Sequence, residues 1–264
     1  DYFVVASNGD CVITSETVNL EVTEYPEVAL NVSPFNEICE DETLLIEIAS
    51  GAGSYEWFEN GVSLNEYSNS IIVNSTGRYS VTAANGDCVS ESDIAELLVI
   101  QYPDVTLSTG LNLEICEDET QTVSIPDGAE NYEWFFENNS VGQNQNSIDI
   151  NETGNYFVTA ANGNCVATSE TVNLNVVQYP EVSFTLSDET ELCDGETLTV
   201  TAPAGADSYQ WFENNTLFAE NINEINVSQS GSYRLTAANA DCISESDEIA
   251  ATFFSFPNVD LNVG

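Results

Sequence analysis

Cysteine returns in this chain at a fixed interval of 77 residues. Cys11, Cys88, Cys165 and Cys242 form one series, and Cys39, Cys116 and Cys193 form a second. The tryptophans keep the same interval at Trp57, Trp134 and Trp211. A period of that length, held along the whole chain, means one small unit repeated in tandem, so the folding problem reduces to 77 residues. The period sets units at 25–101, 102–178 and 179–255. Residues 1–24 match the end of a preceding unit and residues 256–264 the start of a following one, so the chain is read as a stretch of a longer array.

Units this small lie near the lower limit for a lone hydrophobic core, and cross-links help them. The seven cysteines stand in a chain with no histidine and no C-x-x-C spacing. That pattern does not fit a zinc site and points to disulfides, hence to an oxidising, extracellular compartment. The charge is one-sided: 45 carboxylates face two bases, Arg78 and Arg234, for a net charge of −43. Nucleic acid and anionic membrane both need bases against phosphate, so neither is an expected partner. Metal cations, cationic surfaces and neutral glycans are compatible with such a surface. A hydrophobic content of 42% separates the chain from disordered acidic tails. No run approaches the ~20 apolar residues of a membrane span, so no insertion by this segment is expected.

Within each unit the apolar residues alternate, which is the mark of half-buried strands. Tyr25-Pro26, Tyr102-Pro103, Tyr179-Pro180 and Phe256-Pro257 open the units, and the proline stiffens each junction. An opening strand is expected over Val28, Leu30 and Val32, with counterparts at Val182, Phe184 and Leu186 and at Val259, Leu261 and Val263. The second cysteine series follows with an acidic turn: Glu40-Asp41-Glu42, Glu117-Asp118-Glu119 and Asp194-Gly195-Glu196. A second strand carries Leu44, Ile46 and Ile48, and a third carries the tryptophan. A fourth carries Ile71 and Val73. A fifth begins at Gly-x-Tyr with Tyr79, Tyr156 or Tyr233, the setting of a tyrosine corner. Asn85-Gly86 and its counterparts signal a two-residue hairpin into a closing strand. About seven short strands with frequent turns and no helical period predict an all-β, two-sheet sandwich. Trp57, Trp134 and Trp211 belong at its core with the three corner tyrosines.

The centres of the second and fifth strands carry Ile46, Ile48 and Val81, so no cysteine bridges the sheets there. Cys39 precedes the first turn and Cys88 follows the last. In a sandwich these turns lie at opposite ends, about 20 Å apart, whereas a disulfide needs Cα atoms within ~7 Å. This geometry favours pairing across junctions, Cys39 with Cys165 and Cys116 with Cys242, leaving Cys11, Cys88 and Cys193 to partners in further units. Pairing within units (39–88, 116–165 and 193–242) is the alternative, because small secreted modules commonly close on themselves.

The combination C-[DE]-[DG]-E-T, Y-x-W, G-x-Y and A-N-[GA]-[DN]-C resembles the immunoglobulin-like repeats of giant cell-surface adhesins of Bacteroidota, of the gliding-motility type. The resemblance covers the whole chain at the level of the repeat. It implies tandem immunoglobulin-like β-sandwiches in a head-to-tail array, exported to the cell surface by the type IX route. It also implies a role as a rigid adhesive stalk or filament, whose partners are neighbouring repeats of the same chain and surface glycans or other filaments.

No catalytic constellation is legible: histidine is absent, and no nucleophile–base pair or phosphate-binding loop occurs, so a non-enzyme without cofactor is expected. The alternative to a stalk is a set of ligand-binding or adhesive modules, dependent on calcium. Glu40, Asp41, Glu42, Glu117, Asp118 and Glu119 are its candidate ligands, since calcium takes six to eight oxygens. A solvated acidic turn accounts for the same residues, and the ligand set changes between repeats, with Asp87 and Asp241 matched by Asn164.

Overall fold

Most of the alternating runs form strands, and no helix occurs among the described residues. The computed structural model describes residues 1–259. They form two compact units, residues 1–103 with 161–167, and residues 104–160 with those from 168 onward. The fold is that of tandem immunoglobulin-like β-sandwiches.

In the first unit, the larger sheet of the repeat runs in the order Phe35–Cys39, Ala95–Ile100, Gly77–Asn85, Ser54–Glu59, Val62–Ser63. The smaller sheet pairs Leu44–Glu47 with Ser70–Val73. Alternate residues of both sheets meet in one core: Ile46, Ile71 and Val73 from the smaller sheet, Trp57, Tyr79, Val81 and Leu97 from the larger. Trp57 is 0% exposed. Its indole N–H is the one polar group it must satisfy, and it donates to the Ser68 carbonyl at 2.9 Å. Tyr79 caps the same core and donates its hydroxyl to the Ser75 carbonyl at 2.8 Å, four residues upstream.

The second unit repeats this plan twice. Trp134 and Trp211 are fully buried and donate to the carbonyls of Gln145 and Ile222, each at 2.9 Å. Tyr156 and Tyr233 donate to Glu152 and Gln229 at 2.9 and 3.0 Å. In the third repeat the larger sheet runs Glu191–Cys193, Ile249–Phe254, Gly231–Asn239, Ser208–Glu213, Thr216–Glu220.

Three local features differ from the sequence expectation. The opening run is mostly outside any ladder: among the described residues only Thr185–Leu186 pairs, against Leu198–Thr201. In the first repeat Val28, Leu30 and Val32 still pack on the core, while their backbone reaches the second strand through the Asn31 N–H to Glu47 carbonyl bond at 3.1 Å. Leu261 and Val263 lie outside the described residues. The second difference is an extra strand after that run: Phe35–Cys39 lies parallel to Glu96–Ile100, and Asn112–Cys116 is parallel to Asn173–Val177. The cysteine thus ends a strand, where the ladder fixes its position. Thirdly, the hairpin loop is one residue later than its Asn-Gly signal suggests. Asn85 pairs with Cys88, so Gly86 and Asp87 form the turn. The asparagine is the last strand residue, and its side chain is free for other work.

Residues 1–24 form the hairpin Val5–Asn8 with Cys11–Thr14. Ser15 accepts the Val4 N–H at 2.9 Å, as Ser92 accepts that of Val81 and Ser169 that of Val158, each at 3.0 Å. A serine at the 77-residue interval therefore marks the same irregularity of the closing strand. Tyr2, Val4, Val18 and Leu20 are exposed, whereas their counterparts Tyr79, Val81, Ala95 and Leu97 are buried.

Candidate functional site: disulfides and acidic turns at the junctions

The strand Phe35–Cys39 delivers Cys39 to the end of its sheet, and the hairpin within residues 161–167 delivers Cys165. The two are joined, with Cα atoms 5.6 Å apart across 126 residues of sequence. In the second unit Cys116 and Cys242 are joined with the same Cα separation and the same sequence separation of 126. The alternative pairings 39–88, 116–165 and 193–242 do not occur. Cys11, Cys88 and Cys193 carry free thiols; Cys11 and Cys193 are exposed and Cys88 is half-buried. The Cys88 thiol lies 3.6 Å from the Thr23 carbonyl.

Each acidic turn is built around its last glutamate. Glu42 accepts the Cys39 N–H at 2.9 Å while its own N–H returns to the Cys39 carbonyl at 2.9 Å. Glu119 and Cys116 repeat the exchange at 3.0 and 2.9 Å, and Glu196 does so with Cys193. The carboxylate bond and the backbone bond of the same glutamate together pin the turn that bears the cysteine.

The other two acids of the turn address the junction tyrosine. Glu40 accepts the Tyr102 N–H at 3.4 Å, and Asp41 accepts the Tyr102 hydroxyl at 2.9 Å. In the second unit Glu117 accepts the Tyr179 N–H at 3.4 Å. The hydrogen bonds to Asp41 and Asp118, with the charge of the surrounding carboxylates, raise the phenols of Tyr102 and Tyr179 above the ordinary tyrosine value. The third turn holds Asp194-Gly195 where the others have two acids in succession, and Phe256 takes the place of the tyrosine, so neither half of the hydroxyl bond is available there.

The side-chain amides at the ends of the long strands complete the arrangement. Asn85, Asn162 and Asn239 donate to the carbonyls of Glu24, Gln101 and Gln178 at 3.1, 3.0 and 2.9 Å. These carbonyls stand just ahead of the Tyr-Pro pairs. A hairpin thus grips the junction from one side while an acidic turn grips it from the other.

The six calcium candidates accordingly have protein partners or define the turn, and no cluster of three or more His, Cys, Asp or Glu is arranged to hold a metal among the described residues. The sequence reading did not find the roles of the junction asparagines, the junction tyrosines or the serine series. All recur at the 77-residue interval, which was the available signal.

No protein-family model matches the chain. Solved structures that align with the chain include the immunoglobulin domains 1–5 of Sidekick-1, at 16% identity and a TM-score of 0.39 over 96% of this chain and 66% of that one. Another is the N-terminal eight immunoglobulin domains of Down syndrome cell adhesion molecule, at 16% identity and a TM-score of 0.28 over 95% of this chain and 44% of the other. This chain thus spans less than two thirds of the length of either. Fold and cross-links together define a disulfide-bonded protein of tandem immunoglobulin-like sandwiches. Among the described residues no helix is long and apolar enough to cross a membrane.

Proposed function

We propose that this chain is a stiff structural segment of an extracellular, repetitive adhesin or surface filament, of the kind carried by gliding-motility adhesins. Its modules are residues 25–101, 102–178 and 179–255, with 1–24 and 256–264 belonging to neighbouring modules. The observation that carries the reading is the pair of disulfides with one common separation of 126 residues, each joining the acidic-turn cysteine of one repeat to the hairpin cysteine of the next.

Sandwiches strung on ordinary linkers are free to move against each other. Here the junction is held by a covalent bond, by an asparagine amide and by carboxylates on the junction tyrosine. Such a junction transmits orientation from one module to the next, which is what a stalk needs and a flexible tether does not. Repulsion among 45 carboxylates favours extension over collapse. The disulfides also fit export to an oxidising cell surface. Cys11, Cys88 and Cys193 then await the corresponding cysteines of adjoining modules.

Small-angle scattering on the oxidised chain and on the variant C39S/C165S/C116S/C242S tests this. The expected outcome is a narrow distance distribution for the oxidised protein and a broad one for the variant, with each sandwich still folded by circular dichroism. Identical distributions would show that the cross-links do not set stiffness and would overturn the stalk reading. Antibody labelling of intact cells tests the surface location.

A further inference from the structure

The three repeats share their cores but differ on the outer face of the smaller sheet. The cross-strand pair at its centre is Thr122 with Asp149 in the second repeat, hydrogen-bonded at 2.5 Å. In the third it is Thr199 with Asn226, at 2.8 Å. In the first repeat the same register holds Leu45 and Ile72. These side chains are 49% and 70% exposed. A polar pair that closes on itself has thus been replaced by two large aliphatic groups facing water.

The surroundings turn this pair into a groove. Leu64, Glu66, Ile71 and Val73 line it with Leu45 and Ile72, enclosing about 500 Å³ of open space. Among the described residues the strand Ser70–Val73 pairs with Leu44–Glu47 alone; on its other edge the Ser68 hydroxyl is hydrogen-bonded to the Ser70 backbone, and the edge beyond Ser70 is what an incoming strand meets. The charge around the groove is of one sign. Glu66 lines it and Glu47 stands two residues along the same face from Leu45. Arg78, the one base of this unit among the described residues, is engaged with Glu96 at 3.2 Å.

We propose that this face of the first repeat docks a basic, amphipathic, extended segment of another protein, added as a strand along Ser70–Val73. Alternate apolar side chains of that segment cover Leu45 and Ile72 on the outer face, and the intervening Lys or Arg residues, which point to the opposite face, lie beside Glu66. Strand addition gives affinity through the backbone, and alternate pockets give specificity. The sign of the charge decides the occupant: a second copy of this chain brings a net charge of −43 to an acidic groove, whereas a basic strand is drawn to it. The site is independent of the stalk reading, since it uses no junction residue.

The test uses the full chain and a fluorescent eight-residue peptide of alternating valine and lysine, with binding read by anisotropy at about 0.15 M salt. A peptide of the same composition with its four valines and four lysines in separate blocks is the control. The variant L45T/I72D carries the pair that the second repeat already accommodates at the same register, and I72N carries the residue of the third, so both are expected to keep the fold. The alternating peptide is expected to bind the native chain and to lose about tenfold or more in affinity on L45T/I72D, as follows from uncovering two aliphatic side chains. No binding to the native chain, equal binding to L45T/I72D, or equal binding of the block peptide overturns the proposal. So does a dimer of the native chain that L45T/I72D abolishes without peptide binding, which would assign the face to a second copy.

Discussion

Asn239 donates its side-chain amide to the carbonyl of Gln178, 61 residues earlier, at 2.9 Å. The same step of 61 residues relates Asn162 to Gln101 and Asn85 to Glu24. An amide N–H can serve here and a carboxylate cannot, because the partner is itself an acceptor. Asn239→Asp is therefore expected to destabilise by about 1 kcal/mol or more, and Asn239→Ala by less. Denaturant titration of the two variants checks the order; an aspartate variant as stable as the native chain would mean that the amide bond contributes nothing.

The Cys116–Cys242 bond closes a loop of 126 residues. Cross-links over loops of that size restrict the unfolded chain by about 4–5 kcal/mol in the chain-entropy account. C116S/C242S is expected to lower the melting temperature of the second unit clearly, while the Trp134 and Trp211 cores stay buried. Calorimetry with intrinsic fluorescence separates the two effects.

Tyr233 connects pH to stability. Its hydroxyl donates to the Gln229 carbonyl and to Glu213, at 3.0 and 2.9 Å. Burial first, then the Glu213 carboxylate, raise its phenol far above the ordinary value near 10. The folded state thus favours the neutral phenol. Its contribution is fully present below pH 10, the unfolded value, and is lost as pH rises from there through the higher folded value. Thermal melts between pH 8 and pH 12 should show stability falling above pH 10, and Tyr233→Phe should flatten that fall. At neutral pH the same variant is expected to lose about 1 kcal/mol through the missing hydrogen bonds.

Ala240 holds a backbone φ of 47° in the hairpin turn where the first two repeats have Gly86 and Gly163, at 58° and 54°. A side chain in that region is strained, and glycine is not. Ala240→Gly should stabilise the third repeat by about 0.5–1 kcal/mol despite the entropy that glycine adds to the unfolded chain. A melting temperature below that of the native chain would contradict this account.

Much of the fold was legible because burial has a period. The two-residue alternation around Ile46, Ile71, Val81 and Leu97 identifies the strands, and Trp57 marks the layer between the sheets. The opening run Val28–Val32 shows the limit of that signal. Alternation reports which side chains face the core, and these do, but it does not report whether the backbone has a ladder partner. The parallel strand Phe35–Cys39 was hidden for the related reason that Asn36 and Glu37 dilute its apolar content. At the junctions, strand length alone was enough to separate the ends on which Cys39 and Cys88 lie. The use of the turn acids was not legible, because a glutamate that closes a turn and one that waits for calcium are the same letter. Distances from Glu42 to the Cys39 amide and from Asp41 to the Tyr102 hydroxyl distinguish them.

The two disulfides have a bearing on extensibility. Their loops interleave, since Cys116 lies within the loop closed by Cys39–Cys165, and Cys165 lies within that closed by Cys116–Cys242. Under tension, the shortest covalent path crosses from Cys39 to Cys165, runs backwards to Cys116, and crosses again to Cys242. The middle repeat then pays out only the 49 residues between Cys116 and Cys165, roughly 170 Å when fully drawn, where an unbridged 77-residue repeat would yield roughly 270 Å. Even with every sandwich unfolded, a chain wired in this way reaches a hard stop early, and the load beyond that point falls on sulfur–sulfur bonds in series with the backbone.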